Sequence, residues 1–261
     1  PVQREGNAYT FLFSAGVAIL CAFLLALASQ LLKARQDLAQ EADIKRNILQ
    51  ALNLLKDGDS AYCGTDVMEA KRCADITCCY EANVRPLIVG HDGRPAPGTG
   101  TAAAERIDLA KEMEKPEALR RLPVFTRVRD GRVLAYCFPV YGKGLWSSIY
   151  GYIALDRDLD TVLGITFHKQ GETPGLGGEI QYPEFQSRFN GKKIFKAGRL
   201  VAVTVLKGKA DTSLPEAFHQ VDGITGATLT GKGVTALLKK SLALYEPYLR
   251  LEKKGGGRNV R

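Results

Sequence analysis

The sequence predicts an α+β chain: a single N-terminal transmembrane helix followed by a domain with a mainly antiparallel sheet. Three observations predict it. The run from Ala8 to Leu32 carries no charged residue. Strand-like segments follow one another from Val124 to His168, two of them joined by the turn dipeptide Asp130-Gly131. A stretch from Gly231 to Leu249 then repeats apolar residues at helical spacing. Strands followed by a helix, without regular alternation, give the α+β pattern.

A short segment, residues 1–7, precedes the apolar run. The run, residues 8–32, is long enough as a helix to cross a hydrocarbon core of about 30 Å. Tyr9 near one end and Lys33 and Arg35 at the other match interface anchors. The rival reading is a cleaved signal peptide, because Ala26-Leu27-Ala28 resembles a small-residue cleavage site. The run is longer than a usual signal core, which favours an anchor. Leu38, Ile44, Ile48, Leu52 and Leu55 then recur mostly every three or four residues. They predict an amphipathic linker helix over 33–57, closed by Asp57-Gly58-Asp59.

The remaining residues, 58–250, form one domain, and residues 251–261 a basic, Gly-rich, disordered tail. A cysteine-bearing segment, Cys63 to Cys79, comes first. A Gly- and Pro-rich loop follows from His91 to Gly98, then an exposed helical pattern from Glu105 to Arg121. Strands are expected at Val124–Arg129, Val133–Val140, Ile149–Asp156, Thr161–His168 and Val201–Leu206. The last helix, Gly231–Leu249, puts Val234, Leu237, Leu238, Leu242 and Tyr245 on one face.

With 261 residues, 45% of them apolar, the chain can bury a core in one or two domains. Its net charge of +8 points to an acidic contact: a lipid headgroup, a phosphate cofactor or an acidic partner. The Lys and Arg are scattered rather than interleaved with aromatics, so no nucleic acid is expected. No Gly-x-Gly-x-x-Gly dinucleotide fingerprint is present. Cys21 lies in the span and Cys137 in a strand, as small apolar residues. Cys63, Cys73, Cys78 and Cys79 match no zinc or ferredoxin spacing, so no metal-ligating residue is assigned, though a metal there stays an open alternative. Disulfides, with three possible connectivities, and free thiols both stay open for them.

Three segments carry candidate chemistry. Thr225-Gly226-Ala227-Thr228 stands just before the terminal helix. Small residues there let a bulky group approach, and a helix N-terminus favours a phosphate. The commoner alternative is Thr228 as a plain N-cap. Gly171-Glu172-Thr173-Pro174-Gly175-Leu176-Gly177-Gly178 has Pro-Gly in the middle positions of a type II turn. Its glycines leave a flat surface for a planar ring, with Glu172 and Thr173 offering polar groups to the ring edges. A hairpin loop is the competing reading. Gly142-Lys143-Gly144-Leu145-Trp146-Ser147 holds the sole Trp of the chain, as a core lid or an aromatic wall.

Together and in this order, these segments closely resemble the NqrC family, whose members are subunits of the Na+-translocating NADH:quinone reductase. Gly144-Leu145-Trp146-Ser147, Gly151-Tyr152-Ile153-Ala154-Leu155-Asp156 and Gly164-Ile165-Thr166-Phe167 carry the resemblance. So do Glu172 through Ile180 and the Thr225-Gly226-Ala227-Thr228 block. Residues 59–123 contribute less to it. The resemblance implies an extracytoplasmic FMN-binding domain, with FMN esterified through its phosphate to Thr228 by a FAD-dependent flavin transferase. It implies one-electron transfer within the complex, beside a second FMN-bearing subunit (NqrB) and the iron–sulfur-bearing membrane subunits (NqrD and NqrE). The ring is expected among Leu145, Trp146, Glu172, Thr173, Leu176 and Lys207. Gly144, Ser147, Gly177, Thr225, Gly226 and Ala227 complete the expected site.

Two alternatives remain. One is the RnfG subunit of an Rnf-type complex, which shares the Glu172 and Thr228 blocks. The other is an anchored binding domain without a cofactor. The Gly-Leu-Trp-Ser block favours the NqrC family over Rnf. On topology two arguments disagree. Lys33, Arg35, Lys45 and Arg46 follow the span, which favours a cytoplasmic domain. The resemblance implies a bacterial inner membrane with the domain on the periplasmic side, and long domains translocate largely regardless of charge.

Overall fold

The computed structural model describes residues 7–55, 62–63, 71–72, 75–96 and 101–255. The chain divides between Asp43 and Ile44 into two units. In the first, helix α1 (Asn7–Ala51) begins. Its stretch Ala8–Lys33 is long and apolar enough to cross a membrane, with a mean hydropathy of 2.6. Phe11, Leu12, Ile19, Leu25 and Leu31 all stand exposed along it. A helix apolar all round fits a hydrocarbon surrounding.

The last turns of α1 belong to the second unit. The helix ends at Ala51, earlier than expected, and Asp57-Gly58-Asp59 lies outside the described residues. The stop is Asn53, whose φ of 54° is left-handed. Asn53 N–H donates to the Gln50 carbonyl at 3.0 Å and Leu54 N–H to the Leu49 carbonyl at 2.9 Å. That pair of bonds is a Schellman motif, with Leu49 and Leu54 as its buried apolar contact.

A two-residue ladder comes first, β1 (Tyr62–Cys63) against β2 (Lys71–Arg72). Helix α2 (Ile76–Asn83) follows it. Five strands then form the main sheet: β3 (Val84–Val89), β4 (Leu122–Arg129), β5 (Arg132–Lys143), β6 (Ser148–Asp156) and β7 (Val162–Lys169). They lie side by side in chain order, every neighbouring pair antiparallel. Four of them lie where the alternation predicts. Strand β3 is additional; Pro86 hides it in the sequence. An edge strand accommodates a proline because its outward side needs no N–H.

The expected exposed helix over Glu105–Arg121 is broken and partly buried. A 3₁₀ turn at Thr101–Arg106, the short helix α3 (Leu109–Glu114) and a 3₁₀ turn at Glu117–Leu119 replace it. Asp108 caps α3 by accepting from Ala110 N–H, and Pro116 prevents continuation. Ala104, Leu109 and Glu112 are buried.

Beyond the sheet come the one-turn helix α4 (Pro183–Gln186) and the small ladder of β8 (Phe195–Lys196) with β9 (Arg199–Leu200). The expected strand Val201–Leu206 shrinks to β10 (Thr204–Val205), paired in parallel with β11 (Gln220–Val221) apart from the main sheet. Ala202 has a left-handed φ of 58°, which interrupts the extended backbone.

Both sheet faces are covered. Tyr136, Phe138 and Val140 of β5 face one core, with Val234, Leu238, Leu242 and Tyr245 of helix α5 (Thr228–Gly255). Ala135 and Cys137, on the opposite face, meet Ile48, Leu49 and Leu52 of α1 and Cys79 and Tyr80 of α2. Helix α5 starts before Gly231 and continues through Gly255, so residues 251–255 are helical rather than disordered. Cys79 is disulfide-bonded, while Cys78 and Cys137 are free thiols. The side chains of Cys63 and Cys73 lie outside the described set.

Helix α5 also completes backbone bonding that the sheet leaves open. Ser241 Oγ accepts from Tyr141 N–H at 3.0 Å and donates to the Tyr141 carbonyl at 3.2 Å. Extending the register Phe125↔Cys137 by two residues puts Pro139 opposite Pro123. Pro139 has no N–H to give, and the buried Tyr245 hydroxyl donates to the Pro123 carbonyl instead, at 3.1 Å. Tyr245→Phe is therefore expected to cost about 1–3 kcal/mol, the penalty for a buried carbonyl left unsatisfied. Urea unfolding of the detergent-solubilised chain measures it; an unchanged midpoint would show that the carbonyl finds another donor.

Candidate functional site

Three segments converge at one end of the sheet. The hairpin loop Gly144–Ser147 joins β5 to β6 and is closed by Gly144 N–H donating to the Ser147 carbonyl at 2.7 Å. The segment after β7 makes the expected turn: Leu176 N–H donates to the Thr173 carbonyl at 3.1 Å, and Gly175 takes the positive φ of 75° that a type II turn requires. The third is the N-terminus of α5. Thr228 is its first helical residue, and the Ala227 carbonyl accepts its first backbone bond, from Gly231 N–H at 2.9 Å. The N-cap is thus Ala227 rather than Thr228. An alanine has no side-chain oxygen to cap the following N–H groups.

Glu172 ties the three segments together. It is only 4% exposed. Its Oε1 accepts from Trp146 N–H at 2.9 Å and Ser147 N–H at 3.2 Å. Its Oε2 accepts from Leu145 N–H at 3.1 Å and from the Thr230 hydroxyl at 2.6 Å. Four donors fill the four lone-pair sites of a carboxylate. Burial pushes the carboxyl up, but the Thr230 hydroxyl and the amides of Trp146, Leu145 and Ser147 outweigh it. The net effect holds Glu172 below the ordinary carboxylate value. The approach is possible because Gly144 and Gly177 lack side chains. A Cβ on Gly144 would meet Glu172 Oε1 at 2.5 Å, and one on Gly177 would lie 3.0 Å from the Glu172 Cβ. Ser147 adds a fifth tie, its Oγ accepting from Gly171 N–H at 2.6 Å.

The result is a cleft of about 340 Å³ bordered by all three segments, within the range of small-molecule sites. Leu145, Trp146, Glu172, Thr173, Leu176, Gly177, Gly226, Ala227 and Thr228 line it, joined by Leu229 and Thr230. Trp146 is 73% exposed and Leu229 55%, with Leu145 and Leu176 nearly as open. Four large apolar side chains held in water at one cleft mark a binding surface. Trp146 is a wall of this cleft, not a core lid.

Gly144, Ser147 and Thr225 stand outside the lining; the first two act behind it, through Glu172 and Gly171. Lys207, just beyond the end of β10, is exposed and also absent from the lining. Glu172 does not offer its carboxylate to a ring edge, since protein donors occupy it. Leu229 and Thr230 were missed in the sequence. A hydroxyl on the first helical turn, two residues past Thr228, was the available signal for Thr230.

Residues 144–243, which enclose all three segments, match the family described as FMN-binding domain. The chain is 34% identical over 258 residues to the NqrC subunit of the Na+-translocating NADH-quinone reductase of Haemophilus ducreyi, with 93% of each covered. It is 34% identical over 245 residues to the same subunit of Pseudomonas aeruginosa, covering 90% of this chain and 91% of the relative. The fold is similar to the crystal structure of that subunit from Parabacteroides distasonis, with a TM-score of 0.65 and 32% identity over 84% of this chain and 96% of that one. It is also similar to the crystal structure of Shewanella oneidensis NqrC, at 0.67 and 25% identity over 83% and 99%.

The Glu172 clamp has a pH signature. Its folded pKa lies below its unfolded value of about 4.3. Its stabilisation is therefore complete above that value and lost as pH falls through the lower, folded pKa. Glu172→Gln, which lacks the charge at every pH, is expected to be less stable than the wild type by about 1–3 kcal/mol at neutral pH. The gap should narrow as pH falls below the unfolded value and through the lower, folded one. Denaturant unfolding of both chains across that range checks it, and a gap independent of pH would contradict the clamp.

Proposed function

The chain belongs to the NqrC family of the Na+-translocating NADH-quinone reductase, and we propose that it carries FMN bonded through the phosphate to the Thr228 hydroxyl. The observation that carries this reading is the α5 N-terminus. A threonine hydroxyl stands beside backbone N–H groups with no side-chain cap, at a cleft rimmed by exposed apolar side chains.

The residues present fit the group. A phosphate at Thr228 would lie where the N–H groups of the first turn and the helix dipole favour negative charge. Gly226 and Ala227 leave room for it beside the backbone. Leu145, Trp146, Leu176 and Leu229 would contact the faces of a planar ring, with Thr173 at its edge. Gly177 keeps the floor of the cleft flat. Thr225 keeps a hydroxyl at the start of the attachment block. When bound, FMN supplies one-electron redox chemistry, and the protein's part is to hold the ring and set its polarity. Glu172 contributes indirectly, by holding both loops and the first helical turn in place.

The protein would act as an electron carrier inside a membrane complex. Its partners there would be the FMN-bearing NqrB and the iron–sulfur-bearing membrane subunits NqrD and NqrE, after modification by a flavin transferase. The span Ala8–Lys33 would anchor it in the bacterial inner membrane, with the domain on the periplasmic side.

Two measurements test this. Thr228→Val removes the bonding oxygen and keeps the side-chain shape, so it is expected to abolish covalent flavin in a chain that still folds. Denaturing gels viewed under ultraviolet light read it, and undiminished fluorescence in the variant band would remove the assignment. For topology, a C-terminal alkaline phosphatase fusion is expected to be active, because the enzyme matures only after export. An inactive phosphatase beside a fluorescent cytoplasmic reporter at the same junction would place the domain inside.

A further inference from the structure

We propose, resting on Thr228 as the attachment site, that Arg188 is a positioning residue for modification of Thr228: it latches the segment that leads into the attachment turn.

From Asp222 to Ala227 the chain has no helix or strand of its own. Such a segment would ordinarily wander, and the Thr228 hydroxyl with it. Two consecutive carbonyls in it, those of Asp222 and Gly223, accept from the same Arg188 nitrogen, at 3.2 and 3.0 Å. The guanidinium is itself fixed. Its Nε donates to the Glu184 carbonyl of α4 at 3.2 Å. Its centre lies 5.4 Å from the centroid of the Phe185 ring, which is buried in the main core against Phe167 and Phe189. Stacking and a charge-assisted bond together hold the donor plane toward the segment.

The other flank is held by the arm around β10. Ala210 N–H donates to the Asp222 carboxylate at 2.7 Å, and Gly223 N–H to the Gly208 carbonyl at 2.9 Å. One turn later Ala227 N–H closes onto the Ile224 carbonyl at 3.0 Å and α5 begins. Arg188 therefore acts several residues away from Thr228, through backbone atoms alone. It is absent from the cleft lining, so it does not touch a bound ring.

Attachment forms the bond from Thr228 Oγ1 to phosphorus and breaks the phosphoanhydride of FAD; AMP leaves and the hydroxyl proton passes to the transferase. A nucleophile held in place reacts faster than one that must first be ordered. Arg188 would supply that order before the transferase binds.

The test is the rate of covalent flavin appearance in the full-length apo chain, supplied with flavin transferase and FAD. Fluorescence and intact mass of the denatured chain are the readouts, and thermal unfolding of each apo variant is measured alongside. Arg188→Ala is expected to slow labelling about tenfold. Arg188→Lys should label within about threefold of wild type, because an ammonium also reaches carbonyls but cannot stack as a guanidinium does. Both variants should unfold at nearly the wild-type temperature. Wild-type labelling by Arg188→Ala, while Thr228→Val stays unlabelled, would overturn the role of Arg188 alone. Equal slowing in both Arg188 variants with a matching fall in unfolding temperature would reduce the residue to general stability and overturn it too. Labelled Thr228→Val would overturn the attachment site, and this inference with it.

Discussion

The site depends on one buried carboxylate. Glu172 gathers the amides of Leu145, Trp146 and Ser147 and the hydroxyl of Thr230, so two loops and a helix start share a single anchor. Placing a charge at 4% exposure is costly unless its lone pairs are filled. Here they are filled by groups that themselves need acceptors: three loop amides and a buried hydroxyl. The interaction is thus mutual. Losing the carboxylate would leave three N–H groups without partners and free both walls of the cleft. It also explains the outward Trp146 and Leu145. Their backbone is drawn inward to Glu172, which leaves their side chains facing the cleft and solvent.

The sheet and α5 make that anchor rigid. Strand β5 delivers the Gly144 loop and α5 delivers Thr228 and Thr230. The two elements are fastened along their length by Ser241 on Tyr141 and Tyr245 on Pro123. Each bond satisfies a backbone group that strand pairing leaves open. The opposite face of the sheet is covered by the end of α1, which Asn53 stops so that Leu54 turns back into the core. Sites carried on packed strands and helices hold their geometry better than sites on free loops.

An open cleft suits the proposed chemistry. A ring lying against Leu145, Trp146, Leu176 and Leu229 would bury only part of its surface, since these side chains stand well exposed. Contact alone would then hold it weakly. A phosphoester at Thr228 would remove dissociation altogether and let one ring edge stay open to an electron partner. The demand moves from tight enclosure to placement of one hydroxyl, which is where Arg188 and the arm around β10 act.

The sequence by itself determined the N-terminal apolar helix long enough to cross a membrane, four of the five sheet strands, the final helix and the three segments of the cleft. Those features are local: an uncharged run, period-two alternation, period-3.6 repetition and glycine-rich turns are each set by neighbouring residues. Three-dimensional packing decided the rest. Whether Glu172 would face a ligand or the protein could not be read from its position, because its partners Trp146 and Thr230 are distant in the chain. Lys207 followed a predicted strand, yet only Thr204–Val205 of that strand forms and the lysine lies outside the lining. Strand β3 was hidden by Pro86, which only an edge position tolerates, and edge status is a property of the assembled sheet. Arg188 carried no sequence signal, since an arginine that donates to two carbonyls thirty-odd residues away looks like any surface arginine until the chain is folded.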